Sequence, residues 1–108
     1  MQVSNTEWSL AEKKVAQEVL KIAYEREVKA LIATVRESAG SITALEQIWQ
    51  LHDLLSSKRY EIDGKYDDRE SALIFVFAQL VKEGWLYMDE LASLEGAKRA
   101  KVAALTHM

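Results

Sequence analysis

Residues 9–40 read SLAEKKVAQEVLKIAYEREVKALIATVRESAG, and this stretch decides the fold. Ser9 and Glu12 have the spacing of a capping box, which predicts that a helix begins here. The chain contains no proline, and the first residue that favours a helix end is Gly40. A helix of about 28 residues is about 40 Å long, whereas a compact chain of this size measures roughly 26 Å across. The predicted helix therefore extends beyond its own domain.

The extended helix is predicted to be amphipathic. Its apolar stripe consists of Leu20, Tyr24, Val28, Leu31 and Val35. Charged side chains occupy the opposite face, as is typical of a helix with one solvated side. The part of the stripe that extends beyond the domain needs a second chain to cover it. We therefore expect a homodimer.

A second helix is predicted after a cap formed by Ser41 or Thr43, and its end is expected near residues 59–60. The dipeptide Asp63-Gly64 indicates a turn beyond that end. Apolar residues and one histidine repeat along this helix at three and four residues, as in a coiled-coil seam. They are Leu45, Ile48, His52 and Leu55.

Two further helices complete the prediction, the third over about residues 68–83 and the fourth over about 88–105. Asp67 is the expected cap of the third helix, and Gly84 is its expected stop. The apolar run 72–78 is therefore interpreted as a buried helix instead of a strand.

Phe75 and Phe77 of the third helix are expected to lie in the protein core. Near the end of the fourth helix stand Lys98, Arg99 and Lys101. We interpret these cations as favoured by the negative end of the helix dipole.

The predicted fold class is all-α, with four helices in one domain over residues 1–108. Residues of about 9–60 are expected to form an extended dimerising part, and residues of about 61–108 a compact helical head. The prediction also includes one long N-terminal helix and assembly into a homodimer.

Composition excludes several classes of function. The net charge of −3 gives no basic face for nucleic acid. The absence of cysteine excludes disulfides and zinc–thiolate sites. The longest apolar run, 72–78, is far shorter than the roughly 20 residues of a membrane span, so no integral membrane segment is expected. No N-terminal signal is recognisable, and we expect the protein to stay in the compartment where it is made.

One face of the second helix has an unusual composition, and we call it the polar–aromatic ridge. It consists of Trp49, His52, Asp53, Ser56, Arg59 and Tyr60. A core stripe would be aliphatic and a solvated face would carry lysine and glutamate, whereas tryptophan and arginine are enriched at binding hot spots. Three interpretations stay open at this point: a partner surface, a dimer seam, or packing inside one subunit.

The ridge residues do not predict an enzyme. His52 and Asp53 are neighbours in sequence and are expected to diverge by about 100° on a helix. Ser56 lies four residues after His52, but no source of oxyanion donors is recognisable. The acidic loop of residues 61–68 lacks the ligand spacing of a calcium-binding loop. We expect no catalytic residue, no metal and no cofactor.

Two segments carry a resemblance that is more specific than these patterns. They are residues 48–69, IWQLHDLLSSKRYEIDGKYDDR, and residues 74–80, IFVFAQL. The chain resembles the fluorescence recovery proteins of cyanobacteria, over its whole length and most strongly from Trp49 to Leu80. Trp85, Tyr87 and Met88 belong to no motif of that resemblance.

The resemblance implies a regulator of photoprotection. Such proteins are helical dimers that bind the light-activated red form of the orange carotenoid protein through its C-terminal domain. They accelerate its return to the orange form, which ends quenching of phycobilisome fluorescence. The implied location is the cytoplasm, including the cytoplasmic face of the thylakoid membrane.

The resemblance also implies a partner-binding patch. It comprises Trp49, His52, Asp53 and Arg59 on the second helix, with Arg59 as the most important residue, and Phe75 and Lys101 in the head. We expect Asp53 to hold either Arg59 or a cation of the partner.

Two other functions compete with this one. A general helical scaffold or adaptor would bind an amphipathic helix in a groove between the third and fourth helices, without a carotenoid-protein partner. A nucleic-acid-binding dimer would use Lys98, Arg99 and Lys101, although the acidic balance disfavours it.

Overall fold

The computed structural model describes residues 7–108, and every regular element within that range is helical. The four α-helices are α1 (Leu10–Gly40), α2 (Leu45–Lys65), α3 (Glu70–Glu83) and α4 (Gly96–Thr106), with a short 3₁₀ helix at Met88–Leu91. The molecule measures 58 × 24 × 23 Å. The prediction of an all-α fold with one long N-terminal helix is confirmed.

α1 begins with the predicted capping box. Ser9 Oγ accepts a hydrogen bond from the Glu12 amide at 3.1 Å, and a Glu12 carboxylate oxygen accepts one from the Ser9 amide at 3.2 Å. The helix continues for 31 residues to Gly40. Its first half is buried through Ala16, Val19, Leu20 and Ala23, and its second half leaves the core.

The core is a compact head built from the first half of α1, α3, the 3₁₀ helix and α4. Its largest fully buried side chains are Phe77, Leu80, Leu86, Leu91 and Val102. The Trp8 ring meets the Phe77 ring edge to face at 6.3 Å between centroids. The first half of α1 thus belongs to the core of the head. The division into a dimerising part and a head at about residue 60 stays a prediction.

The predicted ends of the second helix were wrong. Its N-cap is Ala44, and Gln47 performs the capping by accepting hydrogen bonds from the Thr43 and Ala44 amides at 2.6 and 3.0 Å. At the other end, α2 passes through the expected turn at Asp63-Gly64 and stops after Lys65. A glycine inside a helix costs only about 1 kcal/mol, and the ion pairs of Lys65 described below stabilise the additional turn.

The predicted cap of the third helix and the predicted start of the fourth helix were also wrong. α3 begins at Glu70 with Arg69 as its N-cap. Asp67 instead accepts hydrogen bonds from the Arg69 amide at 3.0 Å and from the Arg69 guanidinium. These bonds lower the pKa of Asp67 to about 2. The expected stop at Gly84 is confirmed, with a left-handed φ of 87° that glycine adopts without strain.

Because α4 begins only at Gly96, Lys98 lies in its first turn, and no basic residue lies in its last turn. The interpretation of Lys98, Arg99 and Lys101 through the negative end of the helix dipole was therefore wrong. The Lys98 side chain is only 3% exposed, with Nζ 3.1 Å from Glu12 Oε1 and 5.1 Å from the centre of the Trp8 ring. Burial also removes Lys98 from any nucleic-acid surface that Arg99 and Lys101 would form.

Glu12 therefore has three structural roles. Its carboxylate closes the capping box of α1, neutralises the buried Lys98 ammonium, and accepts a hydrogen bond from the Glu95 amide at 3.0 Å at the start of α4. The bond from Glu95 is the main reason why the pKa of Glu12 is lowered, against the opposing effect of burial. One side chain thus joins the beginning of α1 to the beginning of α4.

A second contact fixes the segment between α3 and α4 on α1. The Arg26 guanidinium forms two hydrogen bonds with the Glu90 carboxylate, at 2.8 and 2.7 Å, and a third with the Trp85 carbonyl at 3.0 Å. Paired bonds of this type fix both distance and orientation.

We predict that Glu12→Gln lowers the free energy of unfolding at neutral pH by about 3 kcal/mol, because it leaves the buried Lys98 charge without a counterion. The exposed control Glu18→Gln should change it by less than about 0.5 kcal/mol. Urea denaturation followed by circular dichroism measures both values.

The stability difference between wild type and Glu12→Gln should depend on pH. Since folding lowers the pKa of Glu12, its contribution is complete above the unperturbed glutamate value of about 4.3 and is lost as the pH falls through the folded pKa. The two proteins should therefore become similar in stability at low pH. Equal stability of both proteins at neutral pH would contradict the assigned role.

Candidate docking surface

α2 runs beside the second half of α1 and buries no residue completely. Its half-buried side chains lie on one face, which is turned towards α1: Gln47, Leu51, Leu54, Lys58, Ile62 and Lys65. Leu54 and Ile62, together with Leu31 of α1 and Trp85 of the head, line a pocket of about 110 Å³ between the two helices. α1 and α2 thus form a hairpin that is open to solvent.

The polar–aromatic ridge lies on the opposite side of α2. Trp49 is 57% exposed, and the Arg59 side chain is 86% exposed. The predicted seam residues Leu45, Ile48 and Leu55 are exposed beside them. Packing of the ridge inside one subunit is therefore excluded, whereas a partner surface and a dimer seam both fit this exposure.

The polar contacts of the ridge differ from the expected ones. His52 Nδ1 lies 3.3 Å from Asp53 Oδ1, so the expected divergence of these side chains was wrong. The side-chain torsions of neighbouring residues bring the two groups together, and an exposed pair of this kind contributes little to stability. Within the chain, Asp53 therefore pairs with His52 and does not hold Arg59.

Arg59 has a loose partner of its own. Its Nε lies 3.7 Å from Asp63 Oδ2, one turn further along α2, and no hydrogen bond to the guanidinium is formed within residues 7–108. The planar group keeps its donors available for a carboxylate or carbonyl groups on another molecule.

The head contributes Phe75, which is 64% exposed on the outer face of α3. The expectation that Phe75 is a core residue was wrong, whereas Phe77 is fully buried as expected. The two side chains lie two positions apart on a helix and therefore point in different directions. Lys101 is half-buried on α4.

The structure connects the ridge with the head. Tyr60, the last residue of the ridge, and Phe75 line the same groove, which has a volume of about 400 Å³. On the other side of Phe75, a second depression of about 300 Å³ is lined by Lys82, Leu105 and Met108. Four expected patch residues thus lie on α2, and Phe75 extends this surface onto the head.

A buried polar cluster, which sequence reasoning missed, positions the end of α2. Lys65 Nζ donates to Glu27 of α1 at 2.7 Å and to Glu83 of α3 at 2.6 Å, and Tyr66 Oη donates to Glu27 at 2.7 Å. Burial alone would lower the pKa of Lys65, but its bonds to the two carboxylates raise it. The charge of Lys65 thus holds α1, α2 and α3 together.

A signal for this cluster was present in the sequence. Glu27 lies four residues after Ala23 and seven after Leu20, on the buried face of α1. A carboxylate at such a position requires a cationic or hydrogen-bonding partner. Sequence alone did not identify that partner, because Lys65 lies beyond the expected helix end.

The carboxylates of Glu27, Glu61 and Glu83 lie within 4.8 Å of one another, as in a metal site. The Lys65 ammonium already lies among them, at 2.7, 3.6 and 2.6 Å. A side-chain cation therefore takes the position that a metal ion would occupy.

None of the helices within residues 7–108 has the length and apolarity needed to cross a membrane.

The fold and the surface define a class of protein: an all-α protein with an open helical hairpin and an exposed ridge suited to protein contacts. The sequence profile described as photoprotection regulator fluorescence recovery protein matches residues 8–106. The chain belongs to this family, and the resemblance noted from residues 48–80 is confirmed.

Individual relatives agree with this assignment. The chain is 48% identical to the fluorescence recovery protein of Synechocystis sp. (strain PCC 6803), over 100% of this chain and 99% of the relative. The solved structure of the fluorescence recovery protein from Fremyella diplosiphon matches with a TM-score of 0.92 and 53% identity, over 94% of this chain and 100% of that one. The Synechocystis structure matches with a TM-score of 0.92 and 50% identity, with the same coverage.

Proposed function

We propose that this photoprotection regulator binds the activated red form of the orange carotenoid protein through that protein's C-terminal domain. Binding accelerates the return to the orange form and ends quenching of phycobilisome fluorescence. Membership of the fluorescence recovery protein family supports this proposal. The observation that carries it is Arg59, whose guanidinium is exposed on the ridge with only a loose ion pair.

The chain would act on a conformational equilibrium without breaking a covalent bond. To accelerate closure of its partner, it must bind the open form and stabilise the transition state for closure more strongly than that open form. A guanidinium suits this role, because it can bind a carboxylate or carbonyl groups bidentately in a partly desolvated interface.

Each residue of the patch receives a proposed role from its exposure and chemistry. Trp49 provides an apolar anchor, and Asp53, paired with His52, is available to a cation of the partner. Phe75 provides a second apolar contact on the head. Lys101 is proposed to contact an acidic group of the partner.

We further propose a homodimer formed through the hairpin of α1 and α2. Exposed apolar side chains on both helices support this assembly: Tyr24, Ile32, Leu45, Ile48 and Leu55. A hairpin that buries so few side chains gains stability when a second copy covers this surface. The proposed location is the cytoplasm, including the cytoplasmic face of the thylakoid membrane.

The rival proposal of a general adaptor without a carotenoid-protein partner has a specific observation in its favour. The depression beside Phe75 is lined by residues of α3 and α4, where such an adaptor would bind a helix. Timing red-to-orange recovery with and without the protein separates the two functions.

We predict that Arg59→Leu reduces the acceleration of red-to-orange recovery by at least about tenfold, because the variant loses a directed charged contact at the interface. Arg59→Lys should be intermediate, since lysine keeps the charge without the planar fork. The exposed arginine Arg36 provides the control, and Arg36→Leu should retain the wild-type acceleration. Absorbance recovery in the dark measures all three variants, and an unchanged rate with Arg59→Leu would refute the assigned role.

We predict that the wild-type protein is a dimer in sedimentation equilibrium and that Ile48→Asp shifts it towards the monomer, because a carboxylate would be buried in the seam. Leu10 is also apolar and is more exposed than Ile48, at 84% against 44%, but it lies at the start of α1, so Leu10→Asp should leave the dimer intact. A wild-type protein that sediments as a monomer at every concentration would exclude the proposed assembly.

A further inference from the structure

The groove between the end of α2 and α3 has an aromatic residue on each side. Tyr60 of α2 is 86% exposed, and Phe75 of α3 is also largely exposed. Gly64 lines the groove without adding a side chain, and a Cβ at this position would meet no atom of another segment within 4 Å. Two solvent-exposed rings thus border one shallow, open groove of about 400 Å³.

The charge that a partner would meet in this groove is negative. The side chains of Glu61 and Glu83 are 44% and 27% exposed, whereas Lys65 beneath them is only 6% exposed. A group approaching from solvent therefore meets two carboxylates before it meets the ammonium.

The two carboxylates differ in their capacity for a further partner. Glu83 already accepts hydrogen bonds from Lys65, Gln79 and Trp85 Nε1. Among residues 7–108, two ammonium groups lie near Glu61, Lys58 at 3.7 Å and Lys65 at 3.6 Å, both beyond hydrogen-bonding distance. Glu61 thus retains open acceptor positions at the edge of the groove.

We propose that this groove receives an arginine side chain of a protein partner. The guanidinium stacks against Tyr60 and Phe75 and donates to the Glu61 carboxylate. This inference rests on the proposed function, and it assigns a chemical group of the activated carotenoid protein to the surface around Phe75.

Arginine satisfies both features of the groove. Its planar cation is attracted to aromatic faces and forms paired hydrogen bonds with carboxylates, and it is less strongly hydrated than lysine. An aliphatic side chain would remove water from the Glu61 carboxylate without offering it a hydrogen-bond donor, and an acidic side chain would be repelled by it. The exposed negative charge therefore selects a cation, and the two rings select a flat one.

The position of the groove supports this choice of partner. Tyr60 follows Arg59 directly, so the groove begins where the polar–aromatic ridge ends. An interface that contacts both Tyr60 of the ridge and Phe75 of the head spans the groove. The ridge would present a guanidinium to the partner, and the groove would accept one from it.

The first test uses the full-length protein without its partner. NMR spectra are recorded during titration with N-acetyl-arginine amide and, in parallel, with the uncharged isostere N-acetyl-citrulline amide. We expect the arginine compound to shift the Tyr60 and Phe75 ring signals and the Gly64 amide several times more than citrulline does. In Glu61→Gln the difference should largely disappear. Equal shifts with both compounds, or shifts confined to other regions, would overturn the proposal.

The second test measures recovery of the activated carotenoid protein. Glu61→Lys should reduce the acceleration by about tenfold, since it places a like charge opposite the arginine. Glu46, exposed at the other end of α2, provides the control with the same change in net charge, and Glu46→Lys should retain most of the acceleration.

The two tests distinguish the two claims. If wild-type protein does not accelerate recovery, the proposed function fails, and the arginine titration still decides whether the groove binds a guanidinium. If wild type accelerates recovery and Glu61→Lys does so equally well, the groove proposal is wrong and the proposed function stands.

Discussion

The length of α1 is the constraint on which the rest of the structure depends. Its 31 residues exceed what the head can cover, so the second half of α1 and the whole of α2 lie outside the core. In soluble proteins most helical stability comes from tertiary packing. A 21-residue helix without a buried apolar residue is therefore a surface that another chain is expected to complete.

The head in turn is organised by contacts between charged groups and α1. Glu12 holds the start of α4, Arg26 holds the 3₁₀ segment through Glu90, and Glu27 holds the end of α2 through Lys65. Each contact joins α1 to a segment that follows much later in sequence. The first half of α1 is thus the helix to which the other segments of the head are joined, and the ion pairs fix the position of α2 relative to Phe75.

The sequence predicted the elements that depend on local chemistry. The capping box at Ser9 and the stop at Gly84 are local signals, and both are present in the structure. The continuation of α2 to Lys65 was not predictable, because it depends on carboxylates 38 and 18 residues away. The exposure of Phe75 was not predictable either, because an apolar run does not indicate which of its residues faces solvent.

The composition of the ridge identified the candidate surface, but the contacts between its charged side chains could be determined only from the three-dimensional structure. Trp49 and Arg59 were recognisable as unsuited to a core, and both are exposed. The pairing of Asp53 with His52 depends on side-chain torsions, and the groove between Tyr60 and Phe75 depends on how α3 packs beside the end of α2. The chemistry of the residues therefore identified the ridge, whereas its extension to Phe75 on the head was indicated only by the resemblance.

Site-specific photo-crosslinking tests the central claim most directly. A photoreactive amino acid replaces Ser56, which lies within the ridge, or Lys21, which is exposed on α1 away from it. Illumination with the activated carotenoid protein should yield an adduct from position 56 that maps to the partner's C-terminal domain, and none from position 21. The absence of an adduct at position 56, in a protein that still accelerates recovery, would contradict docking through the ridge.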